Sequence, residues 1–166
     1  MRRLLIAVVA LVITASAWAI EPSNEITAEN VLREMNGYRA EEGLPPLRLD
    51  ERIHQAAEDR MRDMEDGEYW SHRSPDGTSP FVWLANHAYD YAAAGENLAN
   101  GFETARLLVE AWMESRGHRA NIMSTAYEDC GIAVIDGSTK GPANGKSIVV
   151  MFAKKMGPPI VLRSSK

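Results

Sequence analysis

The stretch from Gly95 to Met123, GENLANGFETARLLVEAWMESRGHRANIM, constrains the fold more than any other part of the chain. An acid, Glu96, precedes an amphipathic segment, and a histidine, His118, follows it. Ala105, Leu108, Val109 and Trp112 recur at i, i+3, i+4 and i+7, which predicts a helix burying one face. A helix from Phe102 to Ser115 is about 21 Å long at ~1.5 Å per residue. The six steps from Glu96 to Phe102 cover at most about 20 Å when extended. Glu96 therefore reaches His118 only if the lead-in runs straight back along the helix. Either the two ends of the stretch make one site, or each has a local role alone.

The chain N-terminal to this stretch predicts two more helices. Thr27 is placed as an N-cap, with Ile26 and Val31 as a hydrophobic staple and Val31, Leu32, Met35 and Tyr38 on one face; Gly43 ends the helix. After the stiff connector Leu44-Pro45-Pro46-Leu47, Asp50 caps a second helix that buries Ile53, Ala57, Met61 and Met64 and stops at Gly67. Tyr69 to Gly77 reads as a polar, aromatic loop with a Pro-Asp-Gly turn, and Phe81 to His87 as a short helix. Tyr89 to Asn97 reads as a strand. Gly131–Ile135 and Ile148–Ala153 read as a β-hairpin joined by the loop from Asp136 to Lys146. Helices and a small antiparallel sheet in one domain give an α+β layered fold.

The ends of the chain carry different signals. Arg2 and Arg3, the apolar run Leu4–Ile13 and Ala17-Trp18-Ala19 form the n-region, h-region and cleavage pattern of an export signal cut near Ala19. The expected organisation is a signal peptide at 1–19, a short linker at 20–26, the domain at 27–156 and a tail at 157–166. The apolar run is short for a bilayer span, so no stable membrane anchor is expected after cleavage. Without Arg2 and Arg3 the 18 basic residues fall to 16 against 23 acidic ones, a net charge of −7. Such a surface carries no footprint for nucleic acid. Cys130 is the single cysteine, so no internal disulfide forms, and its apolar neighbours make it a buried small hydrophobe. A compact export signal points to the periplasm or the cell exterior.

Taken in order, several short motifs resemble the CAP superfamily (cysteine-rich secretory proteins, antigen 5, pathogenesis-related 1 proteins), and within it the bacterial SCP-like branch. They are Asn36-x-x-Arg39, Gly43-Leu44, Leu47-x-Leu49-Asp50, Ala56-Ala57, Ser71-His72-x-Ser74-Pro75-Asp76-Gly77, Gly95-Glu96-Asn97 and Trp112-x-x-Ser115-x-Gly117-His118-Arg119-x-Asn121-Ile122. Gly131-Ile132 and the Phe152 strand complete the resemblance, which spans nearly all of Thr27 to Lys154. It implies an α-β-α sandwich with a small central antiparallel sheet and a cavity lined by two histidines and two acids. His72, Glu96 and His118 fall on three of those positions. At the fourth the chain has Ser115, with Glu114 one step earlier and about 100° away around a helix.

Two imidazoles and a carboxylate can hold a divalent metal, zinc above all, with His72 and His118 as ligands and Glu96 as a third candidate. Such a set suits a metal-assisted hydrolase of peptides or cell-envelope material, with Glu96 as ligand or base. The alternative is a hydrogen-bonded staple between loop and helix. Ser115, His118 and Glu96 form a candidate Ser–His–acid set, but no G-x-S-x-G elbow supports it. His54 reads as a partly buried histidine and His87 as a solvated or capping one, rather than as ligands. Tyr69, Trp70, Phe81 and Trp83 offer aromatic surface, with core packing as their ordinary role. The favoured function is a non-catalytic exported module binding a small apolar ligand or an envelope partner. The alternatives are the hydrolase and a structural surface-interaction protein with a vestigial cavity.

Overall fold

The computed structural model describes residues 24–137 and 145–157. The expected export signal, the first residues of the expected linker and the expected tail beyond Gly157 lie outside them. The elements run α1 (Ala28–Glu41), β1 (Arg48–Leu49), α2 (Glu51–Asp66), α3 (Val82–Asn86), β2 (Tyr91–Phe102), α4 (Ala105–Glu114), α5 (Arg116–Ile122), β3 (Asp129–Asp136) and β4 (Lys146–Lys155). The helix starts are set by side-chain caps. Thr27 accepts from Asn30 N–H, Asp50 from Arg52 N–H and Thr104 from Leu107 N–H, each satisfying one otherwise orphaned amide. Ile26 and Val31 are both buried in one core cluster, as the staple requires. Gly67 ends α2 at its C-cap.

The sheet has the order β1-β3-β4-β2, with β1 parallel to β3 and the other pairs antiparallel. β4 is central and loses both faces to helices. Ile148, Val150 and Phe152 pack toward α1, α4 and α5, while Val149, Met151 and Ala153 pack toward α2 and α3. This double burial is why its sequence is an unbroken apolar run instead of an alternation. The layers are thus α-β-α, the fold class anticipated from the sequence. α2 lies so close to β3 that a Cβ on Gly131 would fall 2.1 Å from the Ile53 carbonyl carbon. Only glycine lets the two backbones meet there.

Three local expectations are corrected. The central helix ends where expected, at its C-cap Ser115, but it starts later than Phe102. β2 extends through Phe102, α4 starts at Ala105, and Ser115 breaks the helix with an extended backbone (φ −88°, ψ 119°). Ser115 and Gly117 have weak helix propensity, so the chain turns there at little cost. His118 consequently lies within a second short helix, α5, not in a loop after the first. Finally, the Pro45-Pro46 connector leads directly into β1, a two-residue strand that pairs Leu49 with Cys130.

Candidate functional site

β2 is an edge strand, and the site forms where the remaining chain folds around that edge. Register with β4 pairs Gly95, Asn97 and Ala99 with Phe152, Val150 and Ile148. On the intervening residues Ala94, Glu96 and Leu98 the carbonyls turn away from β4. Each outward carbonyl meets a side-chain donor from the chain that doubles back along the strand. Tyr127 Oη donates to Ala94 O at 3.2 Å, Asn121 Nδ2 to Glu96 O at 3.0 Å, and Trp112 Nε1 to Leu98 O at 3.2 Å. Three donors at two-residue intervals blunt the open edge and fix α4 and α5 against it. Asn121 Nδ2 also reaches Asn97 Oδ1 at 2.8 Å, and Asn97 Nδ2 donates to the His118 carbonyl at 3.2 Å. The lead-in does run back along the helix, as the geometric argument demanded. Gly95 permits this closeness, since a Cβ there would meet Tyr127 Oη at 2.6 Å.

Glu96 points to the α2 side and is buried, with its side chain only 2% exposed. Both carboxylate oxygens are engaged. Oε1 lies 2.8 Å from His72 Nδ1 and Oε2 accepts from Arg60 Nε at 3.1 Å. Arg60 is itself wholly buried. It donates from Nη1 to Asp63 Oδ2 (3.1 Å) and Tyr69 Oη, and from Nη2 to the Ser71 carbonyl. Tyr69 Oη also meets Asp63 and lies 2.7 Å from Ser74 Oγ. The network anchors the loop that carries His72, while the His72 ring itself stays more than half exposed.

The two imidazoles differ in environment. The hydrogen bond to Glu96 raises the pKa of His72, against opposing contributions from desolvation and Arg60. Desolvation lowers that of His118, and the nearby charge of His72 lowers it further. His72 lines a cleft of about 340 Å³ with Phe81, Gly95, Glu96, Asn121 and Tyr127. His118 lines an adjacent groove with Trp70, Phe102, Trp112 and Ser115, its ring tilted 6.2 Å from that of Trp112. Glu96 and His72 are thus in direct contact, and His118 lies close enough to feel the charge on His72.

The other candidates are placed elsewhere. Ser115, the N-cap of α5, lines the His118 groove but makes no side-chain capping bond. Glu114 is exposed on α4. His87 lies 2.7 Å from Asp59, and His54 lies near Glu58. Trp83 packs against the α2-side core. Among the described residues no group of three or more His, Cys, Asp and Glu side chains is placed to hold a metal ion. With Glu96 shared between Arg60 and His72, the groups left for a metal are the two imidazoles. Arg60 escaped sequence reasoning because an arginine within a charged helix reads as solvated. The only available signal was its helical alignment with the buried Ala56, Ala57 and Met64.

Residues 32–151 match the profile of the CAP, or cysteine-rich secretory protein, family, and the chain belongs to that family. It is 36% identical over 116 residues to the Bacillus subtilis (strain 168) protein YkwD, a match covering 69% of this chain and 45% of YkwD. Among solved structures it resembles an extracellular protein containing an SCP domain from Bacillus anthracis (26% identity, TM-score 0.67), covering 77% of this chain and 40% of that one. It also shares its fold with an outer surface protein of Borrelia burgdorferi (22% identity, TM-score 0.67), covering 81% of this chain and 98% of that one. The chain thus spans less than half of YkwD and of the B. anthracis protein. Among the described residues no helix is long and apolar enough to cross a membrane.

Proposed function

We propose that this protein is an exported CAP module that binds a small ligand in the clefts beside His72 and His118 and does not catalyse its conversion. The observation that carries this reading is the double engagement of Glu96, whose two oxygens are taken by Arg60 and His72. A general base must be able to accept the substrate's proton, and a carboxylate so occupied is poorly placed to do so. Ser115 likewise makes no side-chain capping bond, and among the described residues no base is bonded to its hydroxyl to activate it as a nucleophile. The aromatic walls from Trp70, Trp112 and Phe81 suit a largely apolar ligand or an exposed part of an envelope partner. Export is supported by the basic-then-apolar N-terminus and by the extracellular and outer-surface descriptions of the two solved relatives. In the test, native mass spectrometry of protein purified from its own compartment should detect a small molecule that a His72→Ala, His118→Ala double variant has lost. Chelator-sensitive turnover of peptides by the wild type would overturn the reading.

A second reading is favoured by one contact. A carboxylate on the Nδ1 of His72 leaves Nε2 as the free nitrogen, the arrangement that orients histidines toward metals. Zinc would then bind to His72 and His118, with Glu96 behind the first histidine. Bound there, zinc could polarise a carbonyl or activate water, while Arg60 and Glu96 would fix the His72 ring. Calorimetric zinc binding should weaken as pH falls through the imidazole range, because protons compete for the same nitrogens. Equal zinc binding by the double histidine variant would rule the site out.

A further inference from the structure

A second cleft, of about 450 Å³, lies on the far side of Tyr127 from His72, between the end of α1 and the segment joining α5 to β3. At its base is Arg39, one of the most deeply buried side chains of the protein at 1% exposure. Nε of Arg39 donates to the Pro45 carbonyl at 2.8 Å, and Nη1 donates to the carbonyls of Ile122 and Ser124 at 2.7 and 2.9 Å. These bonds tie the end of α1 to the end of α5 and use three of the five guanidinium N–H donors. Nη2 takes part in none of them, and no carboxylate forms an ion pair with Arg39 among the described residues. Burial pulls its pKa down, as expected of a desolvated charge without a counter-ion.

The rest of the cleft is built to match. Pro45, Pro46 and the Tyr127 ring supply apolar walls, the ring held by stacking on Phe152 at 5.7 Å. Arg48 stands at the rim. The acid on the lining, Glu128, is held by Lys154 Nζ at 2.7 Å and faces Arg48 at 3.8 Å. Asp129 is bound to Arg48 at 3.0 Å.

We propose that this cleft is a carboxylate-binding subsite, in which Arg39 Nη2 receives the head of a small organic acid whose apolar body lies against Pro45, Pro46 and Tyr127. A guanidinium fork with one arm fixed by backbone carbonyls offers the other arm at little entropic cost, and a carboxylate supplies the missing counter-charge. This site is distinct from the His72 cleft, although Tyr127 walls both.

The test is calorimetric titration of the full chain with benzoate, and with benzyl alcohol as the uncharged counterpart of similar shape. Benzoate should bind saturably at one site, and benzyl alcohol about tenfold or more weakly. Thr125→Trp, which fills the cleft from its exposed rim, should weaken benzoate by about tenfold while leaving the melting temperature unchanged. Arg39→Lys should weaken it too if that variant folds; Thr125→Trp carries the test if it does not. His72→Ala should leave benzoate binding intact, which separates this site from the one proposed above. No saturable binding, equal binding of acid and alcohol, or wild-type affinity in Thr125→Trp would each overturn the proposal. So would loss of binding in His72→Ala alone.

Discussion

Replacing Arg60 by methionine removes the buried contact to Glu96 on which the site depends. Methionine fills much of the same volume, so the main change is the loss of the guanidinium. Glu96 loses the partner of Oε2 and keeps only His72, with its side chain 2% exposed and unable to rehydrate in place. Asp63, Tyr69 Oη and the Ser71 carbonyl also lose a donor, but the Asp63 side chain is 32% exposed, Ser71 is exposed, and Tyr69 Oη keeps Asp63 and Ser74. The cost is therefore dominated by one buried carboxylate, and breaking a buried pair by removing one member costs about 3–5 kcal/mol. Removing the charge of Glu96 as well should return part of that loss. In Arg60→Met/Glu96→Gln the coupling should be about 1–3 kcal/mol, so the double variant unfolds at higher urea than Arg60→Met. The assay is urea unfolding at constant m, with all four proteins compared. A cost below about 1 kcal/mol for Arg60→Met, or strict additivity in the double variant, would refute the reasoning.

Other predictions concern titration, reactivity and packing. The two imidazoles should move stability in opposite directions with pH. His72, raised in the folded state, contributes stability that is present below the unfolded histidine value of about 6.5 and is lost as pH rises through its folded pKa. His118 is lowered, so the unfolded chain takes up its proton first and stability falls as pH drops below about 6.5. Accordingly, Glu96→Gln should lower the pKa of His72 and Arg60→Met should raise it, both read by NMR titration; movement in the reverse sense would contradict the assigned causes. The Cys130 thiol, fully buried and pushed up to about 12, should resist thiol reagents until the protein unfolds globally. Fast labelling of native protein would contradict that burial. Gly131→Ala should destabilise by several kcal/mol or prevent folding, because its Cβ would have to displace the backbone of α2.

Sequence patterns made the scaffold legible wherever one local rule sufficed. Thr27 and Asp50 start helices where a capping side chain stands before an apolar period, and β4 is a strand because continuous Val and Ile suit a doubly buried position. The site was legible as residue types, not as geometry. His72, Glu96 and His118 were singled out by their motifs, yet the role of Glu96 is set by Arg60, 36 residues earlier, through a contact that no periodicity encodes. Trp112 read as a core residue, which it is. Its indole also bonds the Leu98 carbonyl, and that depends on which strand lies at the sheet edge. The helix end at Ser115 was legible, but the second helix from Arg116 was not, because Gly117 and the polar residues around it give no apolar period that announces a helix.

The most direct test lies in the protonation of one ring. If Glu96 holds His72 through Nδ1, then above the imidazole range His72 carries its proton on Nδ1 and leaves Nε2 bare. Long-range proton–nitrogen correlation NMR distinguishes the two nitrogens by chemical shift. The account predicts the Nδ1–H form for His72 in the wild type and a loss of that preference in Glu96→Gln. An Nε2–H ring that does not respond to the substitution would contradict it.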